Sequence, residues 1–370
     1  GIRIIKSYTK EKQFGQHFTE ESENYKKKAL DLAKVNALFF PLMIFLVSIS
    51  TLLTIYIGGR LVFNQEITAG NLAEFVIYIN YLTWPITSIG WIASIIQQAE
   101  ASQARINTIL ETDPEIVSTQ TETDSIEGHI EFKNVSFVYP DTGIEALKNL
   151  SFKLEPGEKL AIVGRTASGK STIADLLLRF YDCTNGQILI DGKNIREKNL
   201  HHLRERVAYV PQNVFLFSDT IEDNIKFGAA DSSFDDVKLY AESAAIKADI
   251  LKLPEQFETM VGERGVTLSG GQKQRVSIAR ALIKNPDIVI LDDCLSAIDA
   301  NTEHKILSYL EDTLKEKTSI IITHRISRLF EFDKIIVLEE GRIVDRGTHD
   351  ELSKRPGYYQ DLIRLQYEEA

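Results

Sequence analysis

Residues 164–171 read Gly164-Arg-Thr-Ala-Ser168-Gly169-Lys170-Ser171, the pattern G-x-x-x-x-G-K-[ST]. The apolar run Leu160-Ala-Ile-Val163 leads into it, and the helix-forming stretch Ser171-Thr172-Ile-Ala-Asp-Leu-Leu-Leu follows. In that strand–loop–helix setting the chemistry is phosphate binding. Small residues let backbone N–H groups converge on phosphate oxygens, and the next helix start adds partial positive charge. Gly164, Ser168, Gly169 and Thr172 belong to this cradle. Lys170 is placed to reach the β- and γ-phosphates, and the Ser171 hydroxyl to ligate Mg2+. Asp292 closes a second apolar run, Ile288-Val-Ile-Leu291, where a carboxylate can help to hold the same metal. Alone, an Asp at a strand end caps a turn; beside the glycine loop it is a metal candidate. Together these elements predict nucleotide and Mg2+ binding and no more.

The elements that must position them are short β-type runs alternating with helical stretches after residue 126. IEFKNVSFVY, KLAIVG, QILIDG, RVAYVPQ, DIVILDD, SIIITH and KIIVLEE predict a largely parallel sheet with helices on its faces. Ahead of them, residues 111–125 are rich in Thr, Asp, Glu and Ser and read as a linker. The chain therefore divides into a segment over 1–110, the linker over 111–125 and an α/β domain over 126–370.

The first segment has a different solvent. Residues 35–59 run for 25 positions without a charge, and about 20 apolar residues cross the roughly 30 Å hydrocarbon layer. A membrane span is expected over about 36–58. A second run, 72–96, is weaker because it carries Glu74, Asn80, Trp84 and Pro85; its place after a short connection makes a helical hairpin the better reading. Trp84 and Trp91 are expected at helix contacts, and Pro41 is a candidate kink. Lys26, Lys27, Lys28 and Lys34 precede the first span, whereas the connection carries only Arg60, so both ends should face the cytoplasm.

Composition narrows the classes. A length of 370 residues suggests two domains. A net charge of −11 argues against a general nucleic-acid binder. Cys183 and Cys294 are too few for a disulfide framework. The opening Gly-Ile-Arg, without a Met, reads as a piece of something longer.

Leu268-Ser269-Gly270-Gly271-Gln272 lies between the glycine loop and IVILDD. With it, the chain closely resembles an ATP-binding-cassette exporter with fused membrane and nucleotide domains. Other stretches resemble family motifs. Tyr139 in VSFVYP corresponds to the aromatic that stacks on adenine, and Gln212 in YVPQN to the loop glutamine that senses Mg2+ and the membrane domain. Val261–Gly265 looks like the exporter stretch before the signature, Ser296–Asp299 like the loop that crosses to the partner, and His324 like the histidine at the γ-phosphate. His201 and His202 have no such context and read as solvated or capping residues.

The resemblance implies a mostly parallel P-loop ATPase sheet with an antiparallel β subdomain and a helical subdomain. It also implies ATP and Mg2+ as ligands, held between two cassettes facing head to tail. Ser269, Gly270, Gly271, Gln272 and Asp299 then serve the partner's nucleotide, so the partner is a second half-transporter. The two spans resemble the fifth and sixth of six membrane helices, and Gly1–Tyr8 the cytoplasmic loop that touches the opposite cassette. The implied function is ATP-driven efflux of a drug, lipid or other amphipathic substrate across the plasma membrane, with the cassette in the cytoplasm. An ATP-gated channel or regulatory subunit is the alternative; a soluble cassette protein conflicts with the 35–59 run.

Three positions depart from the family pattern. Asp293 stands where a hydrolytic cassette usually has Glu to position the attacking water. A base must lie within hydrogen-bond reach of its proton partner, so the lost methylene predicts a site that binds ATP and hydrolyses it slowly. That resembles one half of a heterodimer whose partner carries the Glu, while a homodimer with two slow sites stays open. Ala167 replaces a frequent Gly, narrowing backbone freedom, and Cys294 reads as a small buried hydrophobe.

Overall fold

The computed structural model describes every residue except 119, 263–267, 296–299, 325–330 and 369–370. The chain forms two compact units, Gly1–Asp113 and Pro114–Ala370.

The first unit is helical: α1 (Ile2–Ser7), α2 (Glu11–Phe63) and α3 (Ala69–Leu110). With 53 residues, α2 is about 80 Å long at 1.5 Å per residue, far more than a bilayer core requires. The expected spans fall in the C-terminal half of α2 and the N-terminal part of α3, each a portion of a longer helix. Pro41 and Pro85 both lie inside them. Thr68 caps α3: its hydroxyl accepts from Asn71 N, while the Asn71 side chain accepts from Thr68 N. The helices pack antiparallel, with Leu72 against Gly58, where a Cβ would collide with the leucine, and Phe39 beside Gly90.

Among the described residues, α2 is the one helix with a stretch long and apolar enough, by length and composition, to cross a membrane. The second expected span falls within α3, whose middle is diluted by Asn80, Thr83, Trp84, Pro85, Thr87 and Ser88. Trp84 and Trp91, expected at helix contacts, are 73% and 64% exposed, so neither is buried between α2 and α3. Phe40, Phe45, Leu52 and Tyr56 are likewise exposed. A run of large apolar side chains left open on an uncharged helical stretch requires lipid or protein cover.

The second unit holds two sheets. The first runs β2-β1-β4-β5 and is antiparallel throughout: β1 (Ile130–Val138), β2 (Glu145–Leu154), β4 (Asn185–Ile190) and β5 (Lys193–Asn194). The second runs β10-β9-β3-β8-β7-β6. In it β3 (Lys159–Gly164), β6 (Val207–Val210), β7 (Ile288–Asp292), β8 (Thr318–Ile322) and β9 (Lys334–Glu339) are parallel, and β10 (Arg342–Gly347) is an antiparallel edge. Every residue of β7 and β8 is buried, as expected for strands covered on both faces. Helices α4 (Lys170–Leu177) and α5 (Leu200–Arg206) follow β3 and β5; α6 (Ile221–Lys226), α7 (Phe234–Ser243), α8 (Lys247–Ile250) and α9 (Gly270–Leu282) form a helical subdomain; α10 (Ala300–Thr313), α11 (His349–Leu352) and α12 (Tyr358–Glu368) complete the unit.

Two sets of contacts bear on the site. Residues 111–129 contain neither helix nor strand among those described, yet they are stitched down. Ser118 Oγ accepts from Leu200 N, Lys193 pairs with Asp124 at 2.8 Å, and His202 bonds the Asp124 carbonyl. His202 thus ties down the linker, while His201 is open to solvent.

In the helical subdomain Asn224 is 1% exposed and fully used. Its carbonyl accepts from Phe217 N and Arg280 Nη2, and its amide donates to the Phe217 and Thr220 carbonyls. Asn224→Ala strands those groups, and buried unpaired polar groups cost about 1–3 kcal/mol. We expect a clearly lower chemical-denaturation midpoint for this variant; an unchanged midpoint would remove Asn224 as the keystone between α6 and α9.

Candidate functional site

A cleft of about 510 Å3 opens where the two sheets meet. Its floor is the loop between β3 and α4. Gly169 has φ +98° and a Cβ there would press on the Ala146 carbonyl; at Gly164 it would strike the Leu338 carbonyl. Ala167 adopts φ +64°, so the alanine occupies a left-handed conformation that glycine accepts more readily. The loop is pinned from outside: Gly341 N donates to the Ser168 carbonyl at 3.1 Å, and Lys148 N to the Gly341 carbonyl at 2.8 Å.

Lys170 is 7% exposed and curls over the loop, donating to the Gly164 and Arg165 carbonyls at 2.8 and 2.7 Å. Burial pulls its pKa down, against the opposing pull of Asp292 and Asp293. An ammonium held at such a cost gains from any anion that enters.

Asp292 ends β7 at 3% exposure. Burial raises its pKa, and hydrogen bonds from Ser171 and Tyr209 work against that rise. Of the three expected metal ligands, Ser171 and Asp292 are therefore brought side by side, while Gln212 reaches the neighbouring Asp293. Mg2+ takes hard oxygen donors and is held by one or two protein ligands together with phosphate oxygens, and a hydroxyl beside a carboxylate is a donor pair of that kind.

Asp293 sits at φ +45°, its N–H donating to the Ile322 carbonyl at 2.8 Å. Gln212 Nε2 donates to Asp293 Oδ2 at 3.0 Å, so the loop glutamine and the shortened carboxylate meet directly. His324 lines the same cleft. Burial first, then the Lys170 charge, lowers its pKa, against the carboxylates' pull, which favours the neutral imidazole.

At the other end of the cleft stands Tyr139, its ring edge-on to Phe137 and Tyr181 at 4.8 and 5.4 Å. Its hydroxyl lies 3.0 Å from Thr172 Oγ1 and donates to Asp175 Oδ2 at 3.4 Å. Tyr139, Ser168, Gly169, Lys170, Ser171, Thr172, Gln212, Asp292, Asp293 and His324 thus line one space, with Gly164 beneath it.

Ser269, Gly270, Gly271 and Gln272 are not in this lining. They open α9, where Ser269 Oγ accepts from Gln272 N and Gln272 Oε1 from Ser269 N, a reciprocal cap that leaves Ser269 and Gly270 exposed. Asp299, Ser296 and most of the Val261–Gly265 stretch lie outside the described residues.

Residue patterns missed Ile144, Glu145, Ala146, Lys148 and the Glu340–Gly341 turn, which wall the cleft. They also missed Asp175 and Tyr209, which touch Tyr139 and Asp292. Asp175 had a readable signal, being an acid one turn into the helix after the glycine loop; Tyr209 had none beyond its β-type run.

Residues 147–296 match the ABC transporter family, and residues 1–86 the ABC transporter transmembrane region. The chain is 40% identical over all of its length to an uncharacterized ABC transporter ATP-binding protein, YknU, of Bacillus subtilis, covering 64% of it. It is 38% identical to the multidrug resistance-like ATP-binding protein MdlA of Escherichia coli, over its whole length and 62% of the relative. It is also 38% identical to an ATP-dependent lipid A-core flippase of Pseudomonas fluorescens, over 98% of the chain and 60% of the relative. Among solved structures, a bacterial Atm1-family ABC exporter with ATP bound superposes with a TM-score of 0.87 at 34% identity, over 99% of this chain and 65% of that one. The chain spans just under two thirds of the length of these proteins.

Proposed function

The chain belongs to the ABC transporters, with a transmembrane region ahead of an ATP-binding cassette, and we propose that it is a subunit of an exporter. It uses ATP binding and hydrolysis to move a drug, lipid or other amphipathic substrate across the plasma membrane. The observation that carries this reading is the single cleft in which Lys170, Ser171, Gln212, Asp292, Asp293 and His324 converge below Tyr139, in a chain whose α2 exposes an uncharged apolar stretch. The relatives described as multidrug and lipid proteins support the substrate class.

In this reading the glycine-loop N–H groups and Lys170 hold the β- and γ-phosphates, and Tyr139 backs the adenine. Ser171, Asp292 and Gln212 hold Mg2+, which when bound neutralises phosphate charge. Asp293 faces the attacking water through Gln212, and neutral His324 meets the γ-phosphate. Ser269, Gly270, Gly271, Gln272 and Asp299 complete the nucleotide site of a second half-transporter, whose own signature completes this one. Exposure of Ser269 and Gly270 at the start of a 13-residue helix suits that role, since such a start offers N–H groups to an anion.

The test is transport. Inside-out membrane vesicles containing the protein and its partner subunit should accumulate a fluorescent lipid or drug only when ATP is supplied. An ATP-gated ion current without substrate accumulation would overturn the exporter reading.

A further inference from the structure

Tyr139 is held from two directions. Phe137 and Tyr181 pack edge-on against its ring, and its hydroxyl is engaged by two groups of α4, Thr172 at 3.0 Å and Asp175 at 3.4 Å. Those two residues are three apart on the helix, so they share the face turned toward the tyrosine. Their situations differ. Thr172 follows Ser171 at the start of α4 and lines the cleft, so its hydroxyl is within reach of an anion that enters. Asp175 lies one turn deeper and half-buried. When an anion takes the Thr172 hydroxyl, the acceptor left to Tyr139 is Asp175.

We infer that Asp175 is a positioning residue of the nucleotide site: its carboxylate holds the Tyr139 hydroxyl and so fixes the ring against which the base stacks. The inference rests on the nucleotide reading above and adds to it a residue outside the recognised motifs. Asp175 touches neither base nor phosphate in this arrangement; it acts through Tyr139. Tyr209 frames the same corner from β6, bonding Asp292 while lying close enough to Asp175 and Tyr139 to feel both. Burial raises the Asp175 pKa and the Tyr139 hydrogen bond opposes that rise, as expected for a carboxylate that relies on this donor.

The consequence is a split between ligands that carry a base and ligands that do not. A net hydrogen bond contributes about 0.5–1.5 kcal/mol, or roughly 3- to 10-fold in affinity. The chain in lipid nanodiscs is titrated with ATP and, separately, with inorganic tripolyphosphate. Asp175→Leu should weaken ATP about 3- to 10-fold while leaving tripolyphosphate unchanged. Asp175→Asn, which keeps an acceptor oxygen, should recover most of the lost ATP affinity. Tyr139→Phe, which keeps the ring and fold, should reproduce the Asp175→Leu loss, and the double variant should be no worse than either single one.

Equal weakening of both ligands in Asp175→Leu would show a general structural role and overturn the inference. So would tighter binding of both ligands in Asp175→Leu and Asp175→Asn, the mark of a carboxylate that merely repels phosphate. Additive losses in the double variant would overturn it too. A wild-type chain that binds no ATP would instead overturn the nucleotide reading itself.

Discussion

Lys170→Ala is expected to weaken ATP binding about a hundredfold and to take ATP turnover below detection. The ammonium donates to two loop carbonyls at 2.8 and 2.7 Å, so it is already aimed into the space the phosphates must enter. Charge-assisted hydrogen bonds contribute about 1.5–3 kcal/mol each, and 1.4 kcal/mol is about tenfold in affinity. The loss is compounded because Asp292 and Asp293 then face the phosphates without the lysine's charge beside them. The apo fold should suffer less than the site. Burial depresses the Lys170 pKa, so its charged form is disfavoured in the fold and stability rises slightly as pH climbs through the folded pKa. Lys170→Met, which fills the same volume without charge, separates the two effects. Fluorescent-nucleotide titration reads binding, and thermal unfolding of the ligand-free chain reads the fold. A variant that binds ATP as the wild type does would place the phosphates elsewhere.

Asp293→Glu should raise the ATP turnover of this chain's own site by about 10- to 100-fold. The carboxylate is held by Gln212 at 3.0 Å and stops one methylene short of the position a glutamate would reach. A misplacement near 1 Å costs about two orders of magnitude when a group must meet a water in line. The backbone adds a counterweight. Asp293 sits at φ +45°, a left-handed conformation that Asp tolerates better than Glu. The gain in turnover should therefore come with a small loss in thermal stability. Phosphate-release assays on the chain in lipid nanodiscs, wild type against variant, read the first effect, and unfolding scans the second. Wild-type turnover already equal to that of the variant would sink the slow-site reading.

Wherever the chemistry is local in sequence, the residues were legible. The glycine loop, Lys170 and Ser171 lie in one short run, and the loop's purpose needs only a strand before it and a helix after it. The uncharged run over 35–59 was equally plain, because lipid tolerates few other patterns. All seven β-type runs fall in strands of the two sheets; β2, the two-residue β5 and β10 escaped, β10 because an edge strand alternating exposed and half-buried residues carries little apolar signal. The second membrane run showed the opposite limit. Its helix is continuous over Ala69–Leu110, yet Asn80, Trp84 and Pro85 leave its composition short of a clear span.

Sequence by itself determined the parts: a phosphate cradle, a carboxylate at the end of an apolar strand, the signature run Leu268–Gln272, and an apolar helix ahead of them. These follow from local backbone geometry and hydrophobic period, which short stretches of chain encode. Tertiary structure alone decided the partnerships. Gln212 meets Asp293 because β6 and β7 are parallel neighbours, although 81 residues separate the pair. Tyr139 meets Thr172 and Asp175 because the antiparallel sheet is laid over the start of α4. Hydrogen bonds between distant segments depend on register and strand order, and those are set by packing of the whole core.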